Sequence, residues 1–287
     1  MIMQNLVALI FIFLTSISGY AQLSGDTWAT AKQTKKANLV VTYTHAPKFA
    51  QKIDGQYKGL CFDIMRQFAD FVKAKYGVDV NLQYKDLARP EDFDLFLTTV
   101  KNSKGGVVGL GDITITNERK SDYNFSPPYF ANIAIMVTHE TAPNLIDMDK
   151  ISETFAGMSA VVQRGTIHET RINEIKSKYY PGLTIETTMG FNDANKKVAD
   201  NPKYFTYFDF STYLNVLEQK FPVKRQPVGD KKGDNFGFIM PKSNDWGPVF
   251  EEFFAQNGGY TRSTEYRKLM ADNLGSYVLR LLDAMDK

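Results

Sequence analysis

GDITITNERKSDYNFSPPYF, residues 111–130, is the stretch around which the rest of the chain is organised. Its first half reads as a strand running into a helix start. Thr114 and Thr116 offer hydroxyls beside backbone N–H groups, and Arg119 follows Thr116 at the third position. With Thr116 as N-cap, Arg119 falls in the first helical turn, where a cation opposes the helix dipole. That placement suits a guanidinium that has an anion to hold. Helix-start N–H groups and a bidentate Arg together make a carboxylate-sized receptor. A T-x-x-R taken alone fits a surface loop with a solvated Arg more readily, so the surrounding sequence decides.

Upstream, NLVVTYTH (38–45) alternates and is β-rich, which predicts a first strand. A turn from Gly55 to Gly59 leads into a helix on which Ile64, Met65, Phe68, Phe71 and Val72 recur at helical spacing, with Gly77 as C-cap. A strand over 78–86, a helix over 93–101 and a Gly-rich strand over 107–115 follow. This alternation predicts a parallel sheet with crossover helices. Downstream the logic repeats, with strands over 133–138, 157–163, 183–188 and 204–210. Helices are expected over 191–200 and 211–220, and another opens at RGTIHET and runs to about Tyr179. A return strand over 235–242 and helices over 246–256 and 263–286, broken near Gly275, close the chain. The sequence thus holds two α/β units in series with a helical remainder.

Composition is ordinary for a soluble globular protein. The chain has 287 residues, long enough for two domains, with 43% hydrophobic and 23% charged residues. Its net charge of +2 asks for no polyanionic partner such as nucleic acid. Three His and one Cys argue against a structural zinc site, and nothing points to a metal or cofactor. Cys61 has no partner for an intramolecular disulfide and reads as a small buried hydrophobe. Residues 1–21 contain no Lys, Arg, Asp or Glu, and Leu6 to Leu14 is an apolar run too short for a comfortable membrane span. Gly19-Tyr20-Ala21 supplies small residues for a signal peptidase, so a secretory signal cleaved after Ala21 is expected, with an uncleaved anchor as the alternative. Residues 22–37, polar and mixed, read as a flexible lead-in.

Five motifs in order carry a family resemblance. GQYKGLCFDIMRQFAD (55–70), the opening stretch with its SPPYF run, VVQRGT (161–166), YFDFSTY (207–213) and NFGFIMPKS (235–243) together resemble the type 2 periplasmic solute-binding proteins, family 3, the polar amino-acid-binding group. The likeness runs from about residue 38 to 280. It implies an α/β fold of two lobes, mostly parallel sheets flanked by helices, joined by two hinge crossovers. Lobe one would be 38–131 plus 238–287, and lobe two 132–237. Ligands in such folds sit between the lobes at the carboxyl ends of strands, and hinge closure traps them.

The resemblance also implies roles. Arg119 matches the carboxylate-binding Arg, with Thr116 beside it and Gly165 and Thr166 contributing from the second lobe. A planar guanidinium suits a planar carboxylate better than Lys does. Asp209 matches the carboxylate that holds the ligand's ammonium, with Thr114 nearby. Asp112 stands where the family has a small residue, and it either reinforces cation binding or pairs with a Lys. Tyr43, His45, Phe93 and Phe208 fall near positions that wall the ligand's side chain, where aromatic groups favour apolar or flat chemistry. Each has a plainer alternative: strand propensity and capping for the threonines, capping for Asp209, core packing for Phe93 and Phe208. Thr166-Ile-His-Glu169 also reads as a capping box.

The implied function is a periplasmic or secreted, monomeric binding protein, not an enzyme, that delivers a carboxylate-bearing solute such as an amino acid to the permease of an ABC transporter. G-x-S-x-G, H-E-x-x-H and P-loop motifs are absent. Two alternatives share the fold: a cyclohexadienyl-dehydratase-like enzyme, using Asp112, Asp209 and His168 as acid and base, and a ligand-sensing protein that reports to a membrane partner.

Overall fold

The computed structural model describes residues 22–276, 278 and 279. The expected signal segment, 1–21, and the end of the last helix lie outside the described residues. The chain begins β1 (Ser24–Gly25), α1 (Trp28–Thr34), β2 (Lys36–Tyr43), β3 (Gln51–Ile53), β4 (Gln56–Lys58), α2 (Leu60–Tyr76), β5 (Asp79–Lys85) and α3 (Phe93–Lys101). It continues β6 (Lys104–Gly105), β7 (Val107–Leu110), α4 (Asn117–Asp122) and β8 (Tyr123–Phe125). A second unit follows: β9 (Phe130–His139), α5 (Ile151–Thr154), β10 (Ser159–Gln163), α6 (Ile167–Lys178), β11 (Thr184–Thr188) and α7 (Phe191–Asp200). Then come β12 (Tyr204–Asp209), α8 (Phe210–Glu218), β13 (Val223–Arg225), β14 (Lys231–Phe236), β15 (Ile239–Pro241), α9 (Gly247–Ala255) and α10 (Thr264–Leu274).

Two sheets define two lobes. The first runs β5-β2-β7-β15-β8, and the second β11-β10-β12-β9-β13 with β14 also on β9. The pairings of β2 with β5 and β7, and of β10 with β11 and β12, are parallel, as the crossover helices require. The remaining pairings within both sheets are antiparallel, so the sheets are mixed rather than mostly parallel. The reason is the chain path. It leaves the first sheet before β9 and returns after β14, and strands that cross this way run against their neighbours. Phe130 stands opposite Phe236 where β9 and β14 begin and end, so the two crossing segments lie side by side.

Burial follows the sequence pattern. On α2, Leu60, Ile64, Met65, Phe68 and Val72 are buried, and Gly77 ends the helix at φ 64°, its N–H donating to Lys73 O. Phe68 stacks on Phe250 of α9 at 4.0 Å between ring centroids. Cys61 is buried as expected, its thiol 3.4 Å from the Tyr129 hydroxyl, and burial pushes its pKa up to about 12.

Residues 22–37 depart from expectation: they are ordered into the first lobe. Thr27 caps α1 by accepting from Thr30 N at 3.1 Å. Asp245 accepts from Trp28 N at 2.7 Å and Ala29 N at 3.0 Å. Fully buried Trp246 donates its indole N–H to Asp26 O at 2.9 Å, and its ring lies 5.0 Å from that of Trp28. Among the described residues no helix is long and apolar enough to cross a membrane.

Candidate functional site

Thr116 caps α4 as the sequence indicates, its hydroxyl accepting from Arg119 N at 3.1 Å. The cap sends the Arg119 side chain back across the lobe boundary. Its Nη1 donates to Thr114 O at 3.0 Å in the first lobe, and its Nη2 to Gly165 O at 3.2 Å in the second. The guanidinium lies over the Phe93 ring at 5.0 Å. A guanidinium carries five N–H donors, so two carbonyl partners leave donors to spare. Among the described residues no carboxylate stands within 4.0 Å of it. Burial pulls its pKa below the ordinary arginine value, so the site favours an incoming anion.

The loop that meets Arg119 is shaped by its own glycine. Gly165 has φ 74°, a left-handed conformation that turns its carbonyl toward the first lobe. The capping box expected over Thr166–Glu169 does not form. Thr166 Oγ1 instead donates to Gln163 O at 2.8 Å, and Glu169 Oε2 accepts from Gly165 N at 2.9 Å, one residue early. The turn takes the hydroxyl, which leaves the first N–H groups of α6 without a side-chain cap. Gln163 reaches back across the boundary to donate to Glu91 O at 2.8 Å.

Behind the guanidinium sits a buried polar cluster. Asp209, at the end of β12, accepts from Asn132 Nδ2 at 2.6 Å, and Asn132 Oδ1 accepts from Phe210 N at 3.1 Å. His168 Nε2 stands 3.3 Å from Asp209 Oδ1 without an aligned hydrogen bond, and its ring stacks on Tyr207 at 6.0 Å. Its Nδ1 lies 3.1 Å from Arg171 Nη1. Arginine can only donate, so Nδ1 carries the lone pair and the proton is on Nε2, facing Asp209. Arg171 pairs in turn with Asp234 on β14. Asp112 is 8% exposed with Oδ2 unpartnered. Burial first, then the neighbouring Asp209 charge, hold its carboxyl well above the usual range, while Arg119 pulls the other way.

The structure therefore brings together Arg119, Thr114, Gly165 and Phe93, with Thr116 as the cap, and sets Asp112 and Asp209 close enough to feel each other and Arg119. Other residues named from the sequence lie elsewhere. Tyr43 is in the first-lobe core, its ring against Tyr57 and Phe62. Burial and nearby Asp86 push its hydroxyl up to about 12. Phe208 lies on the opposite face of β12 from Asp209, in the apolar core. His45 lines a separate cavity beside α7 and α8. Sequence reading missed Asn132, Arg171 and Asp234. Asn132 had a signal, a lone amide in the apolar run ANIAIMV; Asp234 had none, because its partner is 63 positions away.

The family model for bacterial extracellular solute-binding proteins, family 3, matches residues 39–257. A substrate-binding protein of an ABC uptake transporter from Streptococcus pneumoniae, solved with bound histidine, superposes with a TM-score of 0.66 at 18% identity, covering 88% of this chain and 97% of that one. An ancestral arginine-binding protein bound to glutamine gives 0.63 at 21% identity, covering 83% and 98%. The arginine-, lysine-, histidine-binding protein ArtJ of Geobacillus stearothermophilus gives 0.62 at 18% identity, covering 83% and 96%. At these identities the superpositions establish the fold.

Proposed function

The chain belongs to the bacterial extracellular solute-binding proteins, family 3, and from that membership we propose that it captures a small carboxylate-bearing solute, an α-amino acid or close analogue, between its lobes and delivers it to an ABC transporter after export. One observation carries the reading: Arg119 reaches from one lobe to the other, has donors to spare and has no described carboxylate within 4.0 Å. A ligand carboxylate takes those donors, with Thr116, Gly165 and Thr166 around it. Asp209 and Asp112, with Thr114, take the ammonium. Phe93 forms one wall. The lobes divide at 131/132 and 237/238, a reading supported by the paired crossing strands β9 and β14. Closure follows binding because the receptor groups come from both lobes. Binding involves no chemical turnover.

A second reading has one observation in its favour. Asp112, its carboxyl raised by burial and the Asp209 charge, stands in the same buried cluster as Asp209 and the Nε2–H of His168, a grouping that also suits a general acid. Turnover of a cyclohexadienyl acid by purified protein would establish it.

The test is a thermal-shift screen of the purified protein against the proteinogenic amino acids and small carboxylates. A true ligand at 100 times its Kd stabilises the folded state by about 2.7 kcal/mol. A screen in which no amino acid or carboxylate moves the wild-type transition rejects the reading.

A further inference from the structure

Away from Arg119, the described residues enclose a cavity of about 620 Å³ between the loop after β2 and the sides of α7 and α8. Sites that take small molecules run from about 300 to 1,000 Å³. Five side-chain amides line this one: Gln51 from the first lobe, and Asn192, Asn195, Asn215 and Gln219 from the second. Asn195 is 5% exposed, and its Oδ1 is buried without a hydrogen-bond partner. A fold that leaves a buried acceptor unmet has room for a donor that arrives from outside.

The lining has no net charge to offer. Lys196 and Asp200, one turn apart on α7, oppose each other. Burial lowers the pKa of His45, so its imidazole is neutral at physiological pH. Pro47, Phe221 and Pro222 add apolar wall. An amide presents a donor and an acceptor in one plane, the complement of adjacent hydroxyl groups. Lys48, in the loop after β2, and Glu218 of α8 pair at 2.8 Å across the lobe boundary beside the cavity.

We infer that this cavity is a second ligand site, for a neutral, hydroxyl-rich molecule of the saccharide or polyol class, gripped between the lobes by the side-chain amides with Asn195 at its buried end. The inference is independent of the amino-acid reading, because it uses none of the residues around Arg119.

Saturation-transfer NMR and thermal shift of the purified protein, with glucose, galactose, maltose, trehalose and sorbitol as probes, test it. At least one probe should bind saturably, and Asn195→Ala should weaken that probe about tenfold or more. Because Asn195 is buried, the double variant Gln51→Ala/Gln219→Ala at the rim provides a second test. It should also weaken the probe, with an unchanged melting temperature. Arg119→Ala should leave sugar binding intact. The proposal is overturned if no probe binds. It also falls if the bound probe is indifferent to both sets of amide substitutions, or if Arg119→Ala abolishes its binding.

Discussion

Arg119 and Asp112 pull on the same buried space in opposite directions. The guanidinium stabilises any anion that enters; burial, and then the Asp209 charge, hold the Asp112 carboxyl well above the usual carboxylate range. A ligand ammonium arriving beside the two carboxyls lowers the Asp112 pKa, so binding should release protons in the interval between its bound and free values. Calorimetry in two buffers of different ionisation enthalpy measures that release; identical enthalpies would contradict it. The stability consequence has a definite sign. The folded-state pKa of Asp112 lies above its unfolded value of about 3.9, so the folded state loses stability as pH rises from there toward the folded pKa, and the loss persists above it. Asp112→Asn removes the ionisation. Its melting temperature should therefore gain on the wild type as pH rises through that window, whereas a gap that stays flat from pH 4 to 8 would show that Asp112 is not strained.

Elements were legible where their signals are local. Asp92 caps α3 by accepting from Leu95 N, and the helix spans Phe93–Lys101 as its pattern indicates. The strand expected over 107–115 stops at Leu110, because Gly111 adopts φ 149° and turns the chain. The return strand expected over 235–242 is split at Gly237, where a side chain would press on Ile115 at 2.9 Å. Neither break leaves a mark in hydrophobic periodicity. The ordering of α1 was hard to read for a different reason: Thr27 caps it locally, but the groups that dock it, Asp245 and Trp246, lie more than 200 positions away. Asp245→Ala leaves two α1 N–H groups unmet and should cost about 1 kcal/mol, read by chemical denaturation. Trp246→Ala empties a fully buried site and should cost roughly 3–5 kcal/mol; a loss below 1 kcal/mol would mean that α1 packing is incidental.

At the scale of the whole molecule, the two lobes touch through Arg119 to Gly165, Gln163 to Glu91 and Lys48 to Glu218. The motifs at 111–130, 161–166 and 207–213 were legible one by one, and their order pointed to two lobes. Their meeting across a boundary, and the burial that raises the Asp112 pKa, come from long-range packing and cannot be read from spacing. If closure depends on ligand, small-angle scattering should show a smaller radius of gyration with a bound amino acid than without one. Calorimetric titration of the best amino-acid ligand into wild type and Arg119→Ala reads the role of that guanidinium most directly. Truncating one partner of a buried charge pair costs roughly 2–5 kcal/mol, so the variant should bind at least about thirtyfold more weakly while keeping its fold; equal affinity in the two proteins would show that Arg119 does not hold the ligand's carboxylate.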